Sequence, residues 1–228
     1  MKIFVTGGTG YIGSHTVVEL QKNGYDVIIA DNLVNSSLDV LDGIEKISGI
    51  RPEFEEIDLT DGEVTRDFFA RHSDIRAVIH FAALKAVGES VNKPLEYYFN
   101  NLNSLMNVLT CMREFKVPNL VFSSSCTVYG QADVLPVTEK TPRHEAESPY
   151  GNTKVMSEDI IRDLMRVEPD MKALALRYFN PIGAHPTAFI GELPNGVPNN
   201  LIPYLTQTAI GIREQLSVFG DDYNTPDG

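Results

Sequence analysis

The sequence predicts an α/β fold in which a doubly wound parallel sheet carries helices on both faces. Short β-rich runs alternate with longer amphipathic segments along most of the 228 residues, and a glycine-rich turn joins the first run to the first helix-like segment. Repeated β-α-β alternation implies right-handed crossovers, which bring the strands side by side and parallel. These two observations predict the fold class before any single residue is given a role.

The predicted elements follow in order along the chain. The strands are residues 3–5, 26–29, 53–55, 77–81, 120–123 and 173–176. The helices are residues 11–23, 38–48, 61–72, 94–115, 149–166 and 201–211. One face of the first helix carries four side chains that we expect to pack on the sheet, namely Ile12, Thr16, Val17 and Leu20.

The amino-acid composition changes after Tyr178, and residues 181–198 are rich in Pro, Gly and Asn. We therefore expect one domain over residues 1–178 and the beginning of a smaller C-terminal lobe over residues 179–228. About fifty residues are enough to begin such a lobe and too few to complete it.

Composition excludes several classes of function. The chain has 19 basic and 31 acidic side chains, a formal net charge of −12. Affinity for nucleic acid comes largely from Lys and Arg side chains that neutralise phosphates, so we expect no nucleic-acid partner. No apolar run approaches the roughly 20 residues that span a bilayer, and the N-terminus has no signal-peptide pattern. We expect a cytoplasmic protein without a membrane partner, and no residue pattern calls for a metal.

Three glycines with G-x-x-G-x-x-G spacing follow the first strand, at Gly7, Gly10 and Gly13. Glycine permits a tight turn and a close approach of the backbone. A pyrophosphate can then reach the free N–H groups at the start of the helix, where Tyr11 and Ile12 lie. The same spacing also occurs in β-α loops that bind nothing. With a strand before it and a helix after it, the turn predicts a dinucleotide site in a Rossmann-type domain.

Asp31 supports this prediction because it ends the second strand about twenty residues further on, where a carboxylate can bind both hydroxyls of the adenosine ribose. Asn32 and Leu33 follow it, with no Arg to bind a 2′-phosphate, which the carboxylate would repel. The expected cofactor is therefore NAD rather than NADP. Asn35 and Ser36 can add hydrogen bonds to the ribose or the phosphates.

Asp58 and Leu59 end the third strand, where an adenine amino group would lie in this architecture. An Asp at a strand end is also a common turn residue. Both interpretations stay open.

Tyr150 and Lys154 are four residues apart on a predicted helix, so their side chains project from one face. A nearby ammonium favours the phenolate and lowers the pKa of a tyrosine from its usual value near 10. The positively charged nicotinamide ring of a bound cofactor would lower the pKa further, so we predict that Tyr150 is a general base near neutral pH. Such pairs are common on exposed helices, and the dinucleotide motif is what favours catalysis here. Three serines, residues 123–125, end a predicted buried strand, but spacing alone does not say which hydroxyl faces the tyrosine.

At these motifs the chain resembles the extended short-chain dehydrogenase/reductase family, and within it the enzymes that invert C4 of UDP-hexoses. The likeness runs through essentially the whole chain. Its landmarks are residues 5–15, 31–33, 80–90, 94–98, 123–125, 148–151 and 177–180. Residues 84–90 and 198–201 resemble that branch in particular rather than the fold in general.

The resemblance implies a role for each matching residue. Tyr150 would take the proton of the sugar 4-hydroxyl, Lys154 would tune its pKa and bind the nicotinamide ribose, and Ser125 would share the hydroxyl proton. The residues implied to line the dinucleotide are Phe81, Ala82, Ala83, Lys85, Asn100 and Phe179. Those implied to contact the UDP-sugar are Tyr178, Asn180, Asn200, Leu201 and Phe219.

The implied reaction is the NAD-dependent interconversion of UDP-galactose and UDP-glucose. Hydride leaves C4 of the sugar for bound NAD, and its return to the other face of the 4-keto sugar inverts C4. The resemblance also implies a homodimer formed through the helices at 94–115 and 149–166. It further implies a longer protein in which residues beyond 228 complete the UDP-sugar site.

Alternatives on the same fold stay open. A nucleotide-sugar 4,6-dehydratase would carry an Asp-Glu pair where this chain has Cys126 and Thr127, which cannot serve as acid and base. A nucleotide-sugar decarboxylase or a simple dehydrogenase would differ in its products. A non-catalytic NAD-sensing module would keep the glycine turn but would need no Tyr150 and Lys154.

Overall fold

A computed structural model describes residues 1–218 and 220–222, and it confirms the predicted fold class. The strands, in chain order, are β1 (Lys2–Thr6), β2 (Asp26–Asp31), β3 (Glu53–Glu56), β4 (Ile75–His80), β5 (Asn119–Ser123) and β6 (Lys172–Leu176). They form one sheet in the order β3-β2-β1-β4-β5-β6, and every neighbouring pair is parallel.

The helices are α1 (Tyr11–Lys22), α2 (Asp39–Ser48), α3 (Gly62–Arg71), α4 (Val87–Asn92), α5 (Pro94–Glu114), α6 (Pro149–Val167) and α7 (Leu201–Ala209), and a 3-10 turn spans Cys126–Tyr129. The predicted strands and helices are all present, with ends within two residues of those expected. Helix α4 was not predicted, because six residues with only Ser90 buried give no periodic pattern. No helix in the described part of the chain is long and apolar enough to cross a membrane.

Buried apolar clusters cover both faces of the sheet over β1, β2, β4 and β5, as expected of a parallel sheet. Successive side chains of a strand point to opposite faces. On β1, Phe4 therefore packs into one apolar cluster, against Phe68 of α3. Its neighbour Val5 belongs to the cluster on the other face, with Val17 of α1 and Ile44 of α2.

The buried face of α1 differs from the expected one. Its buried residues are Gly13, Ser14, Val17, Val18 and Gln21, so only Val17 of the four expected side chains is fully buried. The physical reason is the close approach of α1 to the glycine turn, where a Cβ on Gly13 would clash with the carbonyl oxygen of Gly7. This contact rotates the packed face of the helix by about one residue.

The order of the strands determines where a ligand can bind. From β1 the chain moves outward through β2 and β3, and from β4 it moves to the other side through β5 and β6. A crevice opens outside the carboxyl ends of strands at such a switch point. The glycine turn after β1, residues 81–85 after β4 and the serines at the end of β5 therefore meet at one edge. The outer strand β6 is exposed along its whole length.

Candidate active site

The glycine turn has the shape and polarity of a pyrophosphate site. Gly7 has a φ of +66°, and a Cβ there would lie 2.8 Å from the backbone nitrogen of Ala82. Gly10 is the N-cap of α1, which has no side-chain cap hydrogen bond and no acidic residue in its first turn. Its first N–H groups therefore have no side-chain acceptor at the positive end of the helix dipole. Tyr11, at the start of α1, donates its hydroxyl hydrogen to the carbonyl of Gly183 at 2.6 Å.

Asp31 lies beside this turn, as predicted. Its Oδ2 accepts the backbone N–H of Thr9 at 3.3 Å. Its Oδ1 accepts from the N–H of Leu33 at 3.0 Å and from the hydroxyl of Ser36 at 3.3 Å. The Ser36 and Thr9 hydroxyls are 2.7 Å apart. The ends of β1 and β2 are thus joined through one carboxylate that a ribose can also reach.

The other residues predicted to bind the adenosine part of NAD are mostly exposed or have contacts typical of turns and core packing. Asn32 and Asn35 are exposed. Asp58 is exposed too, and its Oδ1 accepts from the N–H of Thr60 at 2.9 Å and from its hydroxyl at 2.8 Å, which is the geometry of a turn residue. Leu59 packs in the core. The adenine role of Asp58 and Leu59 stays a prediction.

The end of β4 is tied to β1 through a buried hydrogen-bond pair. The Thr6 hydroxyl accepts the backbone N–H of Ala82 at 3.2 Å and lies 2.9 Å from Nδ1 of His80. Burial, with a smaller effect of the Lys154 charge, lowers the pKa of His80 to about 3. The imidazole is therefore neutral, and Nδ1 shares a hydrogen bond with the Thr6 hydroxyl. These bonds fix the start of the segment that carries Phe81, Ala82 and Ala83, which are all half-buried.

Tyr150, Lys154 and Ser125 come together at the edge of the sheet. Ser148 caps α6 by accepting the N–H of Gly151 at 3.1 Å, which fixes the first turn where Tyr150 lies. The buried ammonium of Lys154 donates to the carbonyl oxygen of Ser123 at 2.9 Å and lies 5.7 Å from the centre of the Tyr150 ring. A hydrogen bond with Ser125 acts on the Tyr150 phenol and lowers its pKa.

In the protein alone, the pKa of the Tyr150 phenol lies above its usual value. Burial raises the pKa of Tyr150 to about 12, and this effect outweighs the hydrogen bond with Ser125. Burial also lowers the pKa of Lys154 to about 8. In the protein alone, Lys154 therefore does not bring the pKa of Tyr150 to a neutral value, because the cost of burying the phenolate is the larger effect. A base at neutral pH needs a further positive charge beside the phenol.

The buried Lys154 makes a testable contribution to stability. Its pKa falls from 10.5 to about 8 on folding. Between these two values the unfolded chain holds the proton and the folded chain does not, so the free energy of unfolding rises with pH. We expect the wild type to gain on the order of 3 kcal/mol relative to Lys154→Met between pH 8 and pH 10.5. Urea unfolding at a series of pH values measures the difference. The difference between the wild type and the exposed control Lys140→Met should not change with pH, and a difference between the wild type and Lys154→Met that also stays constant with pH would contradict the assignment.

The residues predicted on the substrate side are spread along the segment after β6. The Tyr178 hydroxyl hydrogen-bonds the Ser123 hydroxyl, beside the carbonyl that holds Lys154. The Asn200 amide donates to Oε1 of Glu192 at 2.5 Å. Phe179, Asn180 and Leu201 are exposed to solvent. Phe219 lies outside the described residues.

Two further dinucleotide predictions involve pairs that sequence reasoning did not identify. The Lys85 ammonium lies 3.5 Å from the Glu192 carboxylate, the same group that accepts from Asn200. Asn100 donates to the amide oxygen of Asn101 at 3.0 Å. Asn101 itself is buried and forms hydrogen bonds to both backbone groups of Leu84, at 2.8 and 3.0 Å. Long-range pairs of this kind leave no local pattern in the sequence.

Glu158 is the buried acid that the sequence analysis missed. It lies four residues after Lys154 and eight after Tyr150, so it continues the same helical face. Its carboxylate binds the guanidinium of Arg177 and the hydroxyl of Ser124. The spacing after Y-x-x-x-K was the available signal, and it becomes informative only once the buried face of α6 is known.

Comparisons with known proteins agree with this geometry. The model of the NAD dependent epimerase/dehydratase family matches residues 3–225. The chain is 52% identical to the UDP-glucose 4-epimerase of Dictyostelium discoideum over 227 residues, which cover 100% of this chain and 65% of the relative. It is 53% identical to that of Bacillus subtilis over 228 residues, covering 100% and 67%. The chain thus spans about two thirds of the length of the curated relatives it matches.

Solved structures give the same result. The chain is similar to the UDP-glucose 4-epimerase of Bifidobacterium longum in complex with NAD⁺ and UDP, with a TM-score of 0.97 and 46% identity over 100% of this chain and 68% of that one. It is also similar to the enzyme of Stenotrophomonas maltophila with bound NAD and formylated UDP-arabinopyranose, with a TM-score of 0.94 and 47% identity over 100% and 67%. The predicted resemblance is confirmed, and the chain belongs to the NAD dependent epimerase/dehydratase family.

Proposed function

We propose that this chain is the NAD-binding and catalytic part of an enzyme that interconverts UDP-galactose and UDP-glucose. The observation that carries the proposal is the meeting of Tyr150, Lys154 and Ser125 at the same sheet edge as the glycine turn. The relatives named UDP-glucose 4-epimerase, about half identical over the whole chain, support it. Structural neighbours in complex with NAD and uridine nucleotides support the choice of ligands.

The residues present fit NAD. A Cβ at Gly7 or Gly13 would clash with the backbone around the turn. The Asp31 carboxylate lies at the end of β2, where it can bind the hydroxyls of the adenosine ribose. When bound, NAD⁺ supplies the hydride acceptor for C4 of the sugar, a positive charge beside Tyr150 and the hydride that returns. That charge is what the Tyr150 phenol needs to lower its pKa from about 12.

The chain's own residues move the proton. Tyr150 takes the proton of the sugar 4-hydroxyl as general base and returns it as general acid when the inverted alcohol forms. Ser125 hydrogen-bonds the same phenol and shares the proton. Lys154 is held by the carbonyl of Ser123 and keeps a positive charge on the face of α6 that carries the phenol.

The direct test is to mix the full-length gene product with UDP-galactose and no added cofactor, and to measure UDP-glucose. We expect conversion, since the cofactor ends each cycle unchanged and is retained. Absence of conversion in a protein with bound NAD would reject the proposal. The same mixture tests the rivals by their products: a 4-keto-6-deoxy sugar for a dehydratase, carbon dioxide from a UDP-sugar acid for a decarboxylase, and net NADH for a dehydrogenase. Cys126 and Thr127 already disfavour the dehydratase.

Asp31 should select NAD over NADP. Its carboxylate repels a 2′-phosphate by about 3 kcal/mol, which predicts about 100-fold tighter binding of NAD. In Asp31→Asn the charge is lost while the shape stays, so we expect the ratio to fall below about tenfold. Calorimetric titration of both cofactors measures it. The matched control is Asp26→Asn at the other end of β2, which should keep the wild-type ratio.

We propose that residues 1–178 form the NAD-binding domain and that residues 179–228 begin a UDP-sugar-binding lobe. The exposed side chains of Phe179 and Leu201 support this, since a lobe would give them a partner. We expect the 228-residue chain to bind NAD nearly as tightly as the full-length gene product but UDP much more weakly. Equal affinity for UDP in the two proteins would contradict the division.

We also propose that the protein is a homodimer that pairs through α5 and α6. Three exposed apolar side chains, Leu95, Phe99 and Met106, lie on one face of α5, and Met156 is exposed on the neighbouring α6. A second copy would bury this face. Phe99→Glu should therefore convert the dimer to a monomer in sedimentation experiments, whereas Val134→Glu, on an exposed loop, should not. A wild-type monomer at micromolar concentration would contradict the proposal.

A further inference from the structure

The Glu158 carboxylate is buried and accepts three hydrogen bonds from two residues that lie on different segments. Its Oε1 accepts from the Ser124 hydroxyl at 2.6 Å and from Nε of Arg177 at 2.8 Å. Its Oε2 accepts from Nη2 of Arg177 at 2.6 Å and lies 3.7 Å from Nη1 of Arg143. We call Glu158, Ser124 and Arg177 the carboxylate clamp. It joins α6, the end of β5 and the residue that follows β6.

The clamp holds the middle residue of the serine run, and the residues on both sides of Ser124 belong to the catalytic site. On one side, Ser123 gives its carbonyl oxygen to the Lys154 ammonium. On the other side, Ser125 lies close enough to the Tyr150 phenol to lower its pKa. Because Tyr150, Lys154 and Glu158 all lie on α6, the clamp fixes the serine run against the helix that carries the base.

The charges around the clamp are balanced, so its effect is geometric. Burial raises the pKa of Glu158, but the hydrogen bonds from Arg177 and Ser124 and the nearby charge of Arg143 outweigh it and keep the pKa below its usual value. Arg143 is also paired with Asp159 at 2.7 Å, and the Arg177 guanidinium lies 5.0 Å from the centre of the Tyr129 ring. The carboxylate is therefore ionised throughout the pH range of an enzyme assay, and the fork of Arg177 sets its orientation.

We propose that Glu158 is a positioning residue, which acts through Ser124 to keep Ser125 within hydrogen-bond reach of Tyr150. The role of Glu158 in catalysis rests on the function proposed above. The effect of Glu158 on the contact between Ser125 and Tyr150 can be tested without that function. A displacement of about 1 Å at a reacting group lowers turnover by up to about 100-fold.

Two variants test the clamp. Ser124→Ala cuts the tie to the serine run but leaves the pair between Glu158 and Arg177 intact. Glu158→Gln keeps an acceptor for Ser124 but removes the negative charge that pairs with Arg177. It is the variant more prone to misfold, because the partly buried guanidinium of Arg177 loses its partner. The matched control is Glu114→Gln, which breaks the exposed pair with Arg66.

Two measurements on the full-length, NAD-bound protein test the clamp: steady-state kinetics as a function of pH, and the titration of Tyr150. We expect kcat for UDP-galactose to fall about 10- to 100-fold in Ser124→Ala and Glu158→Gln, with KM within about twofold. We also expect the acid limb of the pH profile to move to higher pH, by roughly one unit, because the Tyr150 phenolate loses the hydrogen bond from Ser125. Glu114→Gln should match the wild type in both.

The second measurement does not depend on turnover. The tyrosinate absorbance of the NAD-bound protein, minus that of Tyr150→Phe, gives the titration of Tyr150 directly, and we expect the same shift to higher pH in Ser124→Ala. Wild-type titration and an unmoved pH profile in Ser124→Ala would overturn the proposal, even if overall turnover fell. Failure of the wild type to convert UDP-galactose would reject the proposed function alone, since the titration still decides the clamp.

Discussion

Tyr150→Phe should lower the turnover of UDP-galactose by about 100- to 10,000-fold in the full-length gene product, the usual contribution of a positioned general base. The substitution removes only the hydroxyl, and the ring that stands 5.7 Å from the Lys154 ammonium keeps its place. The proton of the 4-hydroxyl then has no acceptor. NAD content should stay at the wild-type level, because the glycine turn and Asp31 are untouched. Initial rates of UDP-glucose formation, with bound NAD measured after denaturation, check both statements.

The control for this variant is Tyr25→Phe, which changes an exposed phenol just before β2, at the amino end of the sheet. It should keep wild-type turnover. Wild-type kcat in Tyr150→Phe would show that another group takes the proton. A joint loss of turnover and NAD would show instead that the phenol supports the fold or the cofactor rather than the chemistry.

The order of strands and helices could be predicted because each element has a local cause. Val27, Ile28 and Ile29 form a continuous apolar run, as a strand buried on both faces requires, and all three are buried in β2. Gly10 and Ser148 stand where α1 and α6 begin, and Pro149 at the first position of α6 suits a helix start. Likewise Tyr150 and Lys154 share a face by spacing alone.

What could not be predicted depends on contacts between distant segments. Burial under the folded chain raises the pKa of Tyr150 in the protein alone, and burial of this kind depends on segments far from Tyr150 in the sequence. The packed face of α1 depends on how closely Gly13 meets Gly7. Glu158 matters only because Ser124 and Arg177, 34 and 19 residues away along the chain, reach its carboxylate. No local sequence pattern shows contacts of this kind between distant segments.

Of the substitutions that add one methyl group to the cofactor site, Gly13→Ala should lower the affinity for NAD most. The new Cβ would clash with the carbonyl oxygen of Gly7 and lie 2.8 Å from Cα of Gly8. Both neighbours are backbone atoms, so no side chain can rotate away and the turn itself must move. Overpacking of this kind costs about 1–3 kcal/mol. The same energy expressed in binding lowers the affinity for NAD by about 10- to 100-fold.

Calorimetric titration with NAD and thermal unfolding separate the two effects in this variant. The matched control is Gly88→Ala in α4, where a Cβ meets nothing within 4 Å, so NAD affinity should be unchanged and stability equal or slightly higher. If Gly13→Ala binds NAD as the wild type does, the backbone of the turn is not what holds the pyrophosphate. If Gly13→Ala binds NAD much more weakly while its melting temperature falls by only a few degrees, the close packing of α1 on the turn matters more for NAD binding than for the stability of the fold.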